Sequence, residues 1–186
     1  KDILREVVRE GMSEEEKIFA IFSWFGDNVT YDNKYSDYLY PEDREHFPDS
    51  LAATLNSFHV EGALFDNLAV CCSFAKSYLV MLRIEGIEAY RITLHNYKTN
   101  AIDNLGGDGY GSHAILAIHT EDGKFYYSDS EEAYLYSNTE FVKYHQLLVP
   151  PQLHYPYDKG YSQLFKDLEF GEDIPSLMTE KLVYNG

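Results

Sequence analysis

The chain has 186 residues, 45% of them hydrophobic and 16% aromatic, and 31 acidic side chains against 15 basic ones give it a formal net charge of −16. The length suits one domain with a sizeable core and argues against a disordered chain, while the charge argues against a nucleic-acid partner or an anionic membrane surface, which would repel it. No apolar run reaches the roughly 18 residues of a membrane span, and the only cysteines, the adjacent Cys71 and Cys72, do not make a disulfide scaffold.

Lys1 stands where a start methionine is expected, which implies a natural start further upstream and leaves any leader or anchor unread. The first third of the chain reads as helical. Ser13-Glu14-Glu15-Glu16 is a capping box, with Ser13 as N-cap and Glu16 reaching back from three positions on. Behind it Ile18, Phe22, Phe25 and Val29 recur at helical spacing, and Phe19 and Trp24 widen the stripe. Tyr31 to Pro48 is polar, aromatic and irregular, the pattern of a surface excursion. Asp49 and Ser50 can cap a short helix through about Phe58. Val70 to Arg83 is apolar on most sides and predicts a buried helix that Gly86 ends.

After Gly86 the period changes to two. Ile87 to Leu94, Ser112 to Thr120 and Lys124 to Asp129 all read as strands, and Glu121-Asp122-Gly123 as the hairpin turn between the last two. Asn96 to Gly111, rich in Gly, Asn and Asp, reads as a loop. From Glu131 onward the chain mixes Tyr-rich segments, a Pro150-Pro151 break and a short helix near Tyr161 to Leu168. Helices first and an antiparallel sheet second predict an α+β domain spanning 1–186, with a core over about 13–130 and a C-terminal extension over 131–186.

Thiol catalysis needs a thiolate, and a free cysteine is mostly protonated at neutral pH. A helix N-terminus and a nearby imidazolium both favour the charged form, and Cys71 stands where the long apolar helix begins. The base should be a histidine on a rigid element, steadied by a third group. His113 lies early on the second strand and Asp129 closes the third. A hairpin centred near Glu121 brings the two side by side, eight residues to either side of the turn.

Ala69-Val70-Cys71-Cys72-Ser73-Phe74-Ala75, with Gly86-Ile87 closing the helix, resembles the nucleophile motif of the transglutaminase-like family. His113-Ala114 is similar to the start of that family's His-Ala-Trp-Asn segment, Gly123-Lys124-Phe125-Tyr126 running to Asp129 to its turn and triad strand, and Val29-Thr30-Tyr31-Asp32 to its helix-ending motif. The resemblance runs from about Ser13 to Ser130. It implies a papain-like, transglutaminase-like fold with N-terminal helices on an antiparallel sheet, and a triad of Cys71, His113 and Asp129. It also implies a cleft-lining Tyr31 and an oxyanion hole that uses the backbone N–H of Cys71. The chain departs from the family at Ala69, where Gly is usual, at Ile115-Leu116 in place of Trp-Asn, and at Glu131, where a Thr is frequent.

Each residue has a plainer reading. Cys72, like any lone buried cysteine, is expected to be inert packing. His119 and His95 are the competitors of His113, and Asp129 can simply cap a turn. Asp103 and Asp108 resemble a calcium loop without its spacing, and adjacent cysteines make a poor zinc pair, so no metal and no cofactor is expected. The implied activity is acyl transfer on a peptide or carboxamide through a thioester, passing to water (peptidase or amidase) or to an amine (transglutaminase), with a lean to hydrolysis. Its partner would be a protein or peptide substrate, with neither nucleic acid nor membrane insertion. The rival is a non-catalytic binding domain that keeps the fold, on a secreted or cell-surface protein. A serine hydrolase would need a Gly-x-Ser-x-Gly elbow, which is missing.

Overall fold

The computed structural model describes residues 2–33, 56–96, 111–135, 146–151, 169 and 171–172, with the side chains of 94–96 and 111–112 excepted. The expected excursion over 34–48, the helix capped by Asp49 and Ser50, the loop with Asp103 and Asp108, and the helix near Tyr161 to Leu168 lie outside these residues.

Helix α1 (Asp2–Val7) leads into α2 (Glu14–Asn28). The capping box that opens α2 is complete: the Glu16 N–H donates to Ser13 Oγ at 3.2 Å, and the Ser13 N–H donates to Glu16 Oε2 at 3.0 Å. Ile18, Ile21, Phe22 and Phe25 form its buried face. At the far end the Val29 N–H bonds to Phe25 O, and the chain turns into β1 (Thr30–Tyr31). Tyr31 therefore belongs to a short strand and not to a surface excursion. β1 pairs in parallel with β2 (Leu68–Ala69), a partner 38 residues away in register (Thr30 with Leu68) that no local pattern announces.

A 3₁₀ turn (Asn56–Phe58) and a π turn (Gly62–Asp66) precede β2. A Cβ on Gly62 would lie 2.1 Å from the Asn56 carbonyl oxygen, so only glycine lets these two turns close on each other. Helix α3 (Cys71–Ile84) follows, one residue later at each end than its apolar pattern suggests. Its C-terminus is a Schellman motif. Gly86, at φ +81°, gives its N–H to Arg83 O, and the Ile87 N–H reaches Leu82 O.

Strands β3 (Ala89–Asn96), β4 (Gly111–His119) and β5 (Phe125–Ser128) form an antiparallel sheet in the order β3-β4-β5. One face, with Ala114, Leu116 and Ile118, joins the core made by α2 and α3; the other buries Ile92, Ile115, Ala117, Phe125, Tyr127 and Val149. Phe22, Phe25 and Phe74 cluster with Tyr78 between the helices, and Tyr78 meets Ser128 on the sheet. This is the helix-on-antiparallel-sheet, α+β arrangement that the sequence predicts. Helix α4 (Ser130–Leu135) then packs beside α2 and was not expected, since six residues show no usable period. β5 is not left as a bare edge. Tyr127 exchanges two backbone bonds with Val149, and Phe125 bonds to Glu169 and Gly171. Among the described residues no helix is long and apolar enough to cross a membrane.

Candidate active site

Cys71 is the first residue of α3, preceded by Val70 in extended conformation. The helix start is held from one side by the 3₁₀ turn and the two residues that follow it. The Val70 N–H donates to Ser57 O at 3.0 Å, Ser73 Oγ to His59 O at 2.5 Å, Ser77 Oγ to Val60 O at 3.5 Å and Lys76 Nζ to Phe58 O at 3.3 Å. Both cysteines are free thiols, and they have different surroundings. Cys72 points its sulfur at Phe58 O, 3.7 Å away, and burial, then the neighbouring Cys71, push its thiol up. Cys71 instead has its sulfur within 4.8 Å of a ring nitrogen of His113 and of a carboxylate oxygen of Glu131.

His113 stands on β4 and is 8% exposed, while Asp129, at the end of β5, is 1% exposed. His113 Nε2 lies 2.5 Å from Asp129 Oδ2. The hairpin register differs from the expected one. His119 pairs with Phe125 and Leu116 with Ser128, so the turn centres on Asp122, one residue later than Glu121. The cause is a three-residue loop closed by Gly123 in the left-handed region, at φ +78°. Asp129 is therefore not directly opposite His113 and reaches it from just past the last ladder pair.

Asp129 uses both of its oxygens. Oδ2 meets the imidazole, and Oδ1 accepts the Glu131 N–H at 3.1 Å, which caps α4. The Asp129 N–H is itself held by Gln146 O at 2.9 Å. Burial works against a charged His113, but the Asp129 carboxylate and its hydrogen bond, with Cys71 and Glu131 adding, raise the ring well above its ordinary value of 6.5. With Nε2 given to Asp129, Nδ1 is the nitrogen left to serve the thiol.

Glu131 is the member of this site that the sequence reading missed as a participant. Its Oε2 lies 3.8 Å from His113 Nδ1 and is buried without a hydrogen-bond partner. Burial pushes its carboxyl up to about 8, against the pull of His113, and burial likewise takes Glu132 up to about 7. Burial thus favours the protonated form of Glu131, and among the groups that hold the proton on His113 Asp129 comes first. The available signal was a carboxyl two residues after Asp129, where the family frequently has Thr.

The other candidates lie apart. His119 is six residues down β4 from His113, about 20 Å along the strand; it meets Phe125 and Glu88. His95 pairs through its backbone with Ser112. Tyr31 pairs with Ala69, two residues before the thiol, and is half-buried against the core. A groove of about 510 Å³ between α1 and the C-terminal end of α3, lined by Arg5, Val8, Arg9 and Ile84 among others, lies a helix length from Cys71.

The family model for the transglutaminase-like superfamily matches residues 1–130 of this chain. The chain belongs to that superfamily. No curated protein matches it. Among solved structures, the chain is similar to a TGase at 15% identity and a TM-score of 0.49, over 69% of this chain and 30% of that one. It is also similar to a candidate cysteine protease from Cytophaga hutchinsonii at 17% identity and a TM-score of 0.43, over 80% of this chain and 37% of that one. The chain thus spans about a third of the length of these two structures. The superfamily match ends at Ser130, so Glu131, the rest of α4 and the strand-edge contacts of 146–151 fall beyond it.

Proposed function

We propose that this transglutaminase-like chain is a cysteine-nucleophile acyl-transfer enzyme acting on peptide or carboxamide groups through a thioester. The observation that carries the reading is the position of His113, which has the Cys71 sulfur on one side and the Asp129 carboxylate at 2.5 Å on the other. Cys71 Sγ attacks the carbonyl carbon as the thiolate, its proton already held on His113 Nδ1 beside it. The oxyanion so formed meets the backbone N–H of Cys71 at the start of α3, where the helix presents its first-turn donors. The imidazolium then protonates the leaving nitrogen, which departs as ammonia or an amine, and the acyl group stays on sulfur. Water or an amine attacks the thioester, gives its proton to His113, and the thiolate is restored. Asp129 keeps Nε2–H in place throughout and stabilises the charged ring.

Alkylation with labelled iodoacetamide at mildly acidic pH, read by mass-spectrometric mapping, tests the nucleophile. Cys71 should label faster than both Cys72 and a model thiol. If it labels no faster than the model thiol, the activated nucleophile is wrong and a binding domain that keeps the fold is left. Incorporation of a labelled primary amine into a glutamine-containing peptide, set against ammonia release without incorporation, then separates transamidation from hydrolysis. Cys71→Ser should abolish both.

A further inference from the structure

Cys71, His113 and Glu131 offer one ligand atom each, all within 4.8 Å of one another. Around a tetrahedral zinc ion with ordinary bond lengths, ligand atoms stand about 3.4–3.6 Å apart. The His113 Nδ1 to Glu131 Oε2 separation is already 3.8 Å, and the Cys71 sulfur stands no more than 4.8 Å from its two partners. Three further observations point the same way. Glu131 Oε2 is buried and lacks a hydrogen-bond partner. The other nitrogen of His113 is held by Asp129, the carboxylate–histidine arrangement that orients metal-bound imidazoles. Cys71 is only half-buried, which leaves an entry path.

We propose that Cys71, His113 and Glu131 together bind one divalent cation of the zinc class, which masks the nucleophile reversibly. Adjacent cysteines point apart and no second ligand pair follows them in the sequence, so no zinc pattern is visible there. Folding instead supplies one sulfur, one nitrogen and one oxygen, from α3, β4 and α4. On binding, the proton on His113 Nδ1 leaves to solvent, as do those of the Cys71 thiol and Glu131 where they carry one, so a dication meets two anionic ligands and a neutral imidazole still held at Nε2 by Asp129. Three protein ligands leave a fourth position for water, the pattern of sites that exchange and not of sites that hold a fold together. The masked state withholds the sulfur from any acyl donor until a competing chelator removes the ion.

The test uses the full chain stripped with a chelator, with Zn²⁺ or Co²⁺ alone as probe, and reads binding and not turnover, so it stands whether or not the chain is an enzyme. One equivalent of Zn²⁺ should protect Cys71 from iodoacetamide, and excess chelator should restore labelling. Co²⁺ should give a thiolate-to-metal absorption band that Cys71→Ser abolishes. Glu131→Gln should weaken Zn²⁺ binding by at least the ~10-fold that loss of an outer-shell partner costs. Glu88→Gln, at the distant His119 pair, should leave it unchanged. Equal labelling of wild-type Cys71 with and without Zn²⁺ overturns the proposal, as does Glu131→Gln protein that binds as tightly as wild type. Should Glu131→Gln fail to fold, the wild-type cobalt spectrum decides, and absence of the thiolate band overturns it.

Discussion

Asp129 performs two tasks with its two oxygens, and the tasks come apart on substitution. Asparagine is as good an N-cap as aspartate but carries no charge. Asp129→Asn should therefore keep the cap while lowering the pKa of His113, losing only the stability that the charged pair contributes and moving the alkaline limb of the Cys71 alkylation profile to lower pH. Asp129→Ala should lose the cap as well, at about 1 kcal/mol by denaturant titration, and cut turnover by about 10²-fold or more. Cys72 offers the contrast: its sulfur faces the Phe58 carbonyl, so Cys72→Ala should leave the alkylation rate of Cys71 unchanged. At this scale much was legible. The motif around Cys71 and the two strands named three of the four residues that lie together in the structure. Glu131 was not legible as a neighbour of the thiol, because its position follows from α4 curling back after the Asp129 cap, and nothing in a strand pattern anticipates that turn.

The elements divide by length. α2, α3 and the three longer strands bury enough side chains at a regular period to be read directly, and the capping box and the Schellman glycine mark their ends. The two-residue strands β1 and β2, the π turn and α4 are each shorter than the period that would reveal them, and β1 finds its partner across most of the N-terminal half. The hairpin was read with the right residues and the wrong centre, since a loop closed by a left-handed glycine shifts the ladder by one position. These short elements nonetheless hold the helix start that carries Cys71. Gly62→Ala should push the two turns apart, costing about 1–3 kcal/mol as an overpacked site, and should slow Cys71 alkylation in the folded fraction. Ser13→Ala, at the far end of α2, should cost about 1 kcal/mol and leave that rate alone. Chemical denaturation and labelling kinetics on the same samples separate the two outcomes.

For the molecule as a whole, three protonation shifts point in one direction. His113, Glu131 and Glu132 all have raised folded-state values, so each prefers its protonated form in the fold. The stability they contribute is complete below their unfolded values and is lost as pH rises through the folded ones. For Glu132 the window runs from 4.5 to about 7. In thermal melts taken with a chelator present, Glu132→Gln should flatten the fall in Tm across that window relative to wild type. A difference between the two proteins that stays constant with pH would show that Glu132 is not titrating there.

The superfamily match stops at Ser130, yet the Asp129 amide hangs from Gln146, and the outer side of β5 is clasped by Val149, Glu169 and Gly171. Cutting the gene at the family border would leave that strand as an open seam and deprive the carboxylate of its suspension. Such a fragment should precipitate or self-associate through the exposed rim, and its thiol should react like that of a small peptide. The short stretches at 146–151, 169 and 171 are, on this view, a clamp fitted from outside around machinery that the rest of the chain assembles.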